Sequence, residues 1–116
     1  MKNINGYYYV PAEDITLSAN ADNLEINSNY VHAQPTVSID ITGFQAPTSE
    51  DHASLVRLEN DAAFGSGINI TLKHLSGSSS AGNQIYCLGS VDIVLTPKQY
   101  ALFTKVGKGY IMTAII

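Results

Sequence analysis

The sequence predicts an all-β fold, and three observations carry that reading. Apolar and polar residues alternate with a period of two: Val37, Ile39 and Ile41 against Ser38, Asp40 and Thr42, then Ile68, Ile70 and Leu72 against Asn69, Thr71 and Lys73. That is the pattern of strands with one buried face. Turn-forming residues separate such segments, at Gly43, Gly65-Ser66-Gly67, Ser76 to Gly82 and Gly107-Lys108-Gly109, where glycine and serine supply turn geometry. No long stretch shows a 3.6-residue apolar period. Together these features predict an antiparallel, jelly-roll-like sandwich of about eight strands preceded by an extended N-terminal arm.

Taken in order, residues 1–33 read as the arm and residues 34–116 as the sandwich. Within the arm, Asp14-Ile15-Thr16-Leu17 and Asn23-Leu24-Glu25-Ile26-Asn27 alternate, separated by the turn-like Ser18-Ala19-Asn20-Ala21-Asp22. This predicts a short hairpin or two edge strands; a lone hairpin is marginal and must lean on something larger. The sandwich strands follow: Val37 to Thr42, Leu55 to Leu58, Ile68 to Leu72, Gln84 to Leu88, Val91 to Thr96, Tyr100 to Val106, and Tyr110 to Ile116. The last pair closes as a hairpin over Gly107-Lys108-Gly109.

Two segments stand out as contact surfaces. Tyr7-Tyr8-Tyr9-Val10 precedes Pro11, and a residue before proline favours extended backbone. Tyrosine combines a large apolar area with a polar tip, which suits interfaces. The block is therefore expected to dock on a partner. The C-terminal strand is apolar on both faces, with Tyr110, Met112, Ala114 and Ile116 on one and Ile111 and Ile115 on the other. Such a strand is covered on each side or closed in a subunit interface. The first set is expected to form an oligomer interface.

Charge and composition narrow the function. Charged residues make up 14% of the chain and the net charge is −4, against roughly a quarter charged in an average domain. The sparse charge is expected of a surface partly covered by other chains. Lys2, Arg57, Lys73, Lys98, Lys105 and Lys108 are scattered, so no basic stripe favours nucleic acid. No apolar run approaches a membrane span, and the N-terminal stretch lacks the apolar core of a signal peptide. His32, His52 and His74 lack metal-site spacing, and Cys87 lies in an apolar run that suggests burial. No nucleophile elbow, paired-carboxylate arrangement or phosphate loop is present. Neither catalysis nor a cofactor or metal is expected.

One stretch carries a resemblance. Leu58-Glu59-Asn60, Gly65-Ser66-Gly67, Thr71-Leu72-Lys73-His74, Ser79-Ser80, Asn83-Gln84-Ile85, Asp92-Ile93-Val94-Leu95 and Tyr110-Ile111 follow one another as in a β-sandwich segment of tailed-bacteriophage structural proteins. In that pattern Leu72, Lys73, His74 and Asn83 are structural. It resembles head decoration proteins, head fibres and tail-fibre knobs. The chain departs from them at Gln84, where the pattern often has arginine, and at Tyr110, where it often has tryptophan. The resemblance implies a capsid decoration (cement) or head-fibre protein, a homotrimer whose arm binds the major capsid protein or another virion protein. Its expected location is the capsid surface, after assembly in the host cytoplasm. A tail-associated receptor- or saccharide-binding module is the alternative.

Overall fold

The computed structural model describes residues 12–45 and 55–116 in full, and strands β1 (Lys2–Ile4) and β2 (Tyr7–Tyr9) as backbone alone. The fold is all-β, as predicted, and its one helical element among the described residues is a 3-10 turn at Leu88–Ser90. Two main sheets, of six and three strands, enclose a single apolar core in the manner of a sandwich.

Much of that sandwich is wound rather than folded back. The first coil comprises β3 (Glu13–Leu17), a bridge at Ala21 and β4 (Leu24–Glu25). The second comprises β5 (Tyr30–Pro35), β6 (Ile39–Ile41) and β7 (Phe44–Gln45). A third opens with β8 (Leu55–Asn60) and β9 (Ile70–Leu72). Successive coils stack in parallel: β3 on β5 on β8, Ala21 on β6 on β9, and β4 on β7. The coils are unequal, since Glu13 pairs with Val31 and Val31 with Leu58, steps of 31 − 13 = 18 and 58 − 31 = 27 residues.

The rest of the chain closes the stack. β10 (Ile85–Tyr86) runs parallel to β13 (Gly109–Ile115), β11 (Ile93–Leu95) antiparallel to β9, and β12 (Tyr100–Val106) antiparallel to both β8 and β13. The six-stranded sheet therefore has the order β10-β13-β12-β8-β5-β3. The pairing is mixed, not antiparallel throughout, because a strand that returns after a full coil meets its predecessor in the same direction.

Three further expectations are corrected. Of the two forms expected for Asp14–Leu17 and the 23–27 segment, the hairpin is not formed: among the described residues β3 is an edge strand paired with β5, and β4 pairs with β7. The division at residue 33/34 falls inside β5, and Leu17, Ile26, Val31 and Ala33 belong to the common core. Residues 12–33 are thus the first coil and the start of the second, not an arm. The predicted strand Gln84–Leu88 is shorter, because Gly89 and Ser90 adopt positive φ of 71° and 58° and turn the chain.

Two polar residues hold the coils in register. Asn60 is fully buried; its Nδ2 donates to the carbonyls of Ile68 (3.0 Å) and Leu95 (2.9 Å), and its Oδ1 accepts from the Ala62 N–H (3.1 Å). One side chain thus ties together three backbone groups from separate segments. Asn83 donates from Nδ2 to Asn23 Oδ1 at 2.9 Å, while its carbonyl accepts from the Phe44 N–H. Gly43 lies against this junction, where an added Cβ would fall 2.4 Å from the Asn83 carbonyl oxygen. Only glycine fits there.

Candidate docking face

The outward side of the six-stranded sheet gathers a cluster of aromatic and charged side chains. Alternation in β8 buries Val56, Leu58 and Asn60 and turns Leu55, Arg57 and Glu59 outward. In β12, Ala101 and Phe103 are buried and Tyr100, Leu102 and Thr104 face out; in β5, Val31 and Ala33 are buried and Tyr30 and His32 face out. Register then makes neighbours of residues distant in sequence. Tyr30 pairs with Arg57 and Arg57 with Leu102, while His32 pairs with Glu59 and Glu59 with Tyr100.

The Arg57 guanidinium lies over both flanking rings, 3.7 Å from the Tyr100 centroid and 4.6 Å from that of Tyr30. Each such contact contributes about 0.5–2 kcal/mol, and together they hold a long side chain in one orientation. Its Nη2 donates to Glu59 Oε1 at 3.3 Å, and the Tyr30 hydroxyl reaches the same oxygen at 3.5 Å. Arg57 Nε is buried and has no hydrogen-bond partner among the described residues. The ladder continues through an edge-on Tyr30–His32 contact at 4.7 Å to a 3.1 Å bond between His32 Nδ1 and Asp14.

Beside this ladder the face is apolar. A shallow cleft of about 160 Å³ is lined by Asn29, Leu55, Val56, Arg57, Leu102, Phe103 and Thr113. Leu55 is 63% exposed, and Ile111 is exposed where β13 crosses the same face. Mid-sheet leucine and isoleucine in solvent are what an association surface presents.

Position decides the fate of the predicted contact residues. Tyr110 and Met112 are buried in the chain's own core, so they are not available to a neighbouring subunit. Tyr110 packs edge-on against Phe44 at 5.2 Å. Ala114 is half-buried and Ile116 is exposed. The cause is a bulge: Leu102 pairs with Ala114 but Phe103 with Met112, so Thr113 is the extra residue. It flips the parity of β13, and Met112 and Ile115 both reach the core side. The side chains of Tyr7, Tyr8 and Tyr9, and all of Val10, lie outside the described residues.

The motif residues are tied into the framework. Leu72 is fully buried. Lys73 pairs with Asp92 at 2.8 Å, which raises the lysine pKa; that lysine bond, and then the His74 backbone N–H, lower the aspartate's. His74 Nδ1 accepts from the Cys87 N–H at 3.0 Å. Cys87 is buried, as its apolar surroundings suggested, and burial pushes its thiol up to about 11. Among the described residues no cluster of His, Cys, Asp and Glu is arranged to hold a metal, and no helix is long and apolar enough to cross a membrane.

The Arg57 ladder was not foreseen. Alternation placed Arg57 opposite Val56 and Leu58, but nothing local showed that Tyr30 and Tyr100 would flank it from two other strands. Comparison with known protein families gave no matching family, and comparison with curated proteins gave no relative.

Proposed function

We propose that this chain is a virion structural protein acting by docking and self-association without catalysis. The specific role is capsid decoration or head fibre, as in the tailed-bacteriophage proteins its central stretch resembles. The observation that carries the reading is the outer face of the six-stranded sheet, where exposed Leu55 and Ile111 flank an arginine clamped between two tyrosines. Arginine and tyrosine are the residues that most often dominate binding at protein interfaces. A rigid ladder also loses little side-chain entropy on contact. Repetition of such a face by symmetry converts modest contacts into firm attachment. The ionisable side chains of the framework fit this role, because Lys73–Asp92 and Lys98–Asp61 are structural pairs.

In this reading the face forms the oligomer, and Tyr7 to Val10 supply the contact to the major capsid protein. Light scattering of the full chain should give a trimer, and Leu55→Asp with Ile111→Asp should give folded monomers. Tyr7, Tyr8 and Tyr9 all changed to Ser should leave the oligomer intact but abolish co-sedimentation with capsids. A monomeric wild type, or wild-type occupancy by the triple variant, would refute the corresponding half of the proposal. Specific binding on a glycan array would favour the tail-associated saccharide module instead.

A further inference from the structure

The stack of coils is unfinished at its first coil. Inward-facing residues form columns that run from coil to coil: Ile15 on Ala33, Ala21 on Ile41 on Leu72, and Leu24 on Phe44. Ala33, Ile41, Phe44 and Leu72 are fully buried, whereas Ile15, Ala21 and Leu24 are only partly so. β3 pairs with β5 on one side and, among the described residues, with no strand on the other. An open edge of this kind is a template for a further strand, and stacked coils ordinarily need a cap.

Charge identifies what would fit. Residues 12–29 hold Glu13, Asp14, Asp22 and Glu25 and no Lys, Arg or His. Glu25 is exposed, and Asp14 is exposed on β3 although it also meets His32 Nδ1 at 3.1 Å; Glu13 accepts from the Asn27 N–H at 2.7 Å and Asp22 from the Thr42 hydroxyl at 2.6 Å, and both brace the coil. Stacking two copies end to end would oppose these carboxylates, and like charges face to face resist association.

We propose that the open coil end binds an extended, basic segment of a partner protein, which adds as one more parallel or antiparallel strand. The partner's apolar residues would cover Ile15, and its alternate lysines or arginines would project toward Asp14 and Glu25. Backbone pairing supplies the affinity in such strand addition, and the alternate side chains supply the choice of partner. The inference rests on the coil end alone and holds whether or not the virion reading does.

The test uses the full chain and a fluorescein-labelled synthetic peptide of about seven residues alternating lysine and valine, a typical strand length. The glutamate–valine counterpart is the control. Binding should weaken as salt rises, as expected for opposite charges near a surface. Amide NMR shifts should centre on residues 13–17 and 24–25. Asp14→Asn with Glu25→Lys should weaken binding about tenfold or more while leaving the β-type circular dichroism spectrum unchanged. The proposal is overturned if the lysine peptide does not bind, if the glutamate peptide binds equally, or if the shifts map to another surface. Shifts of residues 2–9 together with β3 would also overturn it, because the chain's own N-terminal segment would then be the strand on that edge.

Discussion

The two ends of the coil stack are built from the same alternating strands yet finish in opposite ways. At the third coil, β8 is covered by β12, β12 by β13 and β13 by β10. Phe103, Tyr110 and Met112 from that cover are buried, and Phe44 sits edge-on between Phe103 (5.3 Å) and Tyr110 (5.2 Å). At the first coil, β3 has one neighbouring strand among the described residues, and Ile15, Ala21 and Leu24 are only partly buried although Leu17 and Ile26 reach the core. The contrast teaches how such a stack is terminated. A parallel coil cannot satisfy its own outer edge. An antiparallel hairpin can, because it runs back along the last strand and brings aromatic side chains with it. Stability belongs to the closed end, and the other end keeps an unpaired strand edge among the described residues.

Substitutions can break or sharpen that contrast. The largest effect is expected at Asn60, where Asn60→Ala strands the Ile68 and Leu95 carbonyls and the Ala62 N–H. Each buried group left unpaired costs about 1–3 kcal/mol, so a loss on the order of 3–5 kcal/mol should appear in urea unfolding. Leu72→Ala should cost about 2–5 kcal/mol through the cavity it leaves. Leu24→Ala at the half-buried end should cost about 1 kcal/mol, because less apolar area leaves the core. Equal costs at Leu72 and Leu24 would mean that the first coil is as well covered as the third.

Two smaller effects follow from titration. The Cys87 thiol is raised from 9.0 to about 11 by burial. A raised folded-state value favours the neutral form, so this contribution is complete below pH 9 and lost between pH 9 and 11. Thermal melts should fall over that window, Cys87→Ala should flatten the fall, and the native thiol should resist alkylation at pH 8. The smallest change concerns Asp61, which Lys98 holds below the usual 3.8 through a 2.7 Å bond. Here the contribution is present above that value and lost as the pH drops further. Asp61→Asn should remove part of the acid-side decline, modestly, because the pair is partly solvated.

Strand content was legible in the sequence, and strand partnership was not. Alternation located β6, β8, β9, β12 and β13 to within a few residues, and the glycine turn between β12 and β13 identified their hairpin. Parallel and antiparallel strands alternate alike, however, so Asp14-Ile15-Thr16-Leu17 read as half of a hairpin or an edge strand, and nothing showed it to be the first strand of a coil. Unequal coils of 18 and 27 residues erase the repeat that would have revealed the winding. The bulge at Thr113 had the same effect on a smaller scale, making β13 look two-sided. The Arg57 ladder depends on three strands at once, and only the register brings its members together.

Amide hydrogen exchange on the full chain, followed residue by residue, tests the contrast between the ends most directly. The account predicts slowest exchange in β8, β12 and the first half of β13, whose amides open only with the whole molecule. It predicts exchange faster by several orders of magnitude in β3 and β4, through local opening at the uncovered coil. Protection in β3 equal to that in β8 would contradict it, since the first coil would then be as firmly closed as the last.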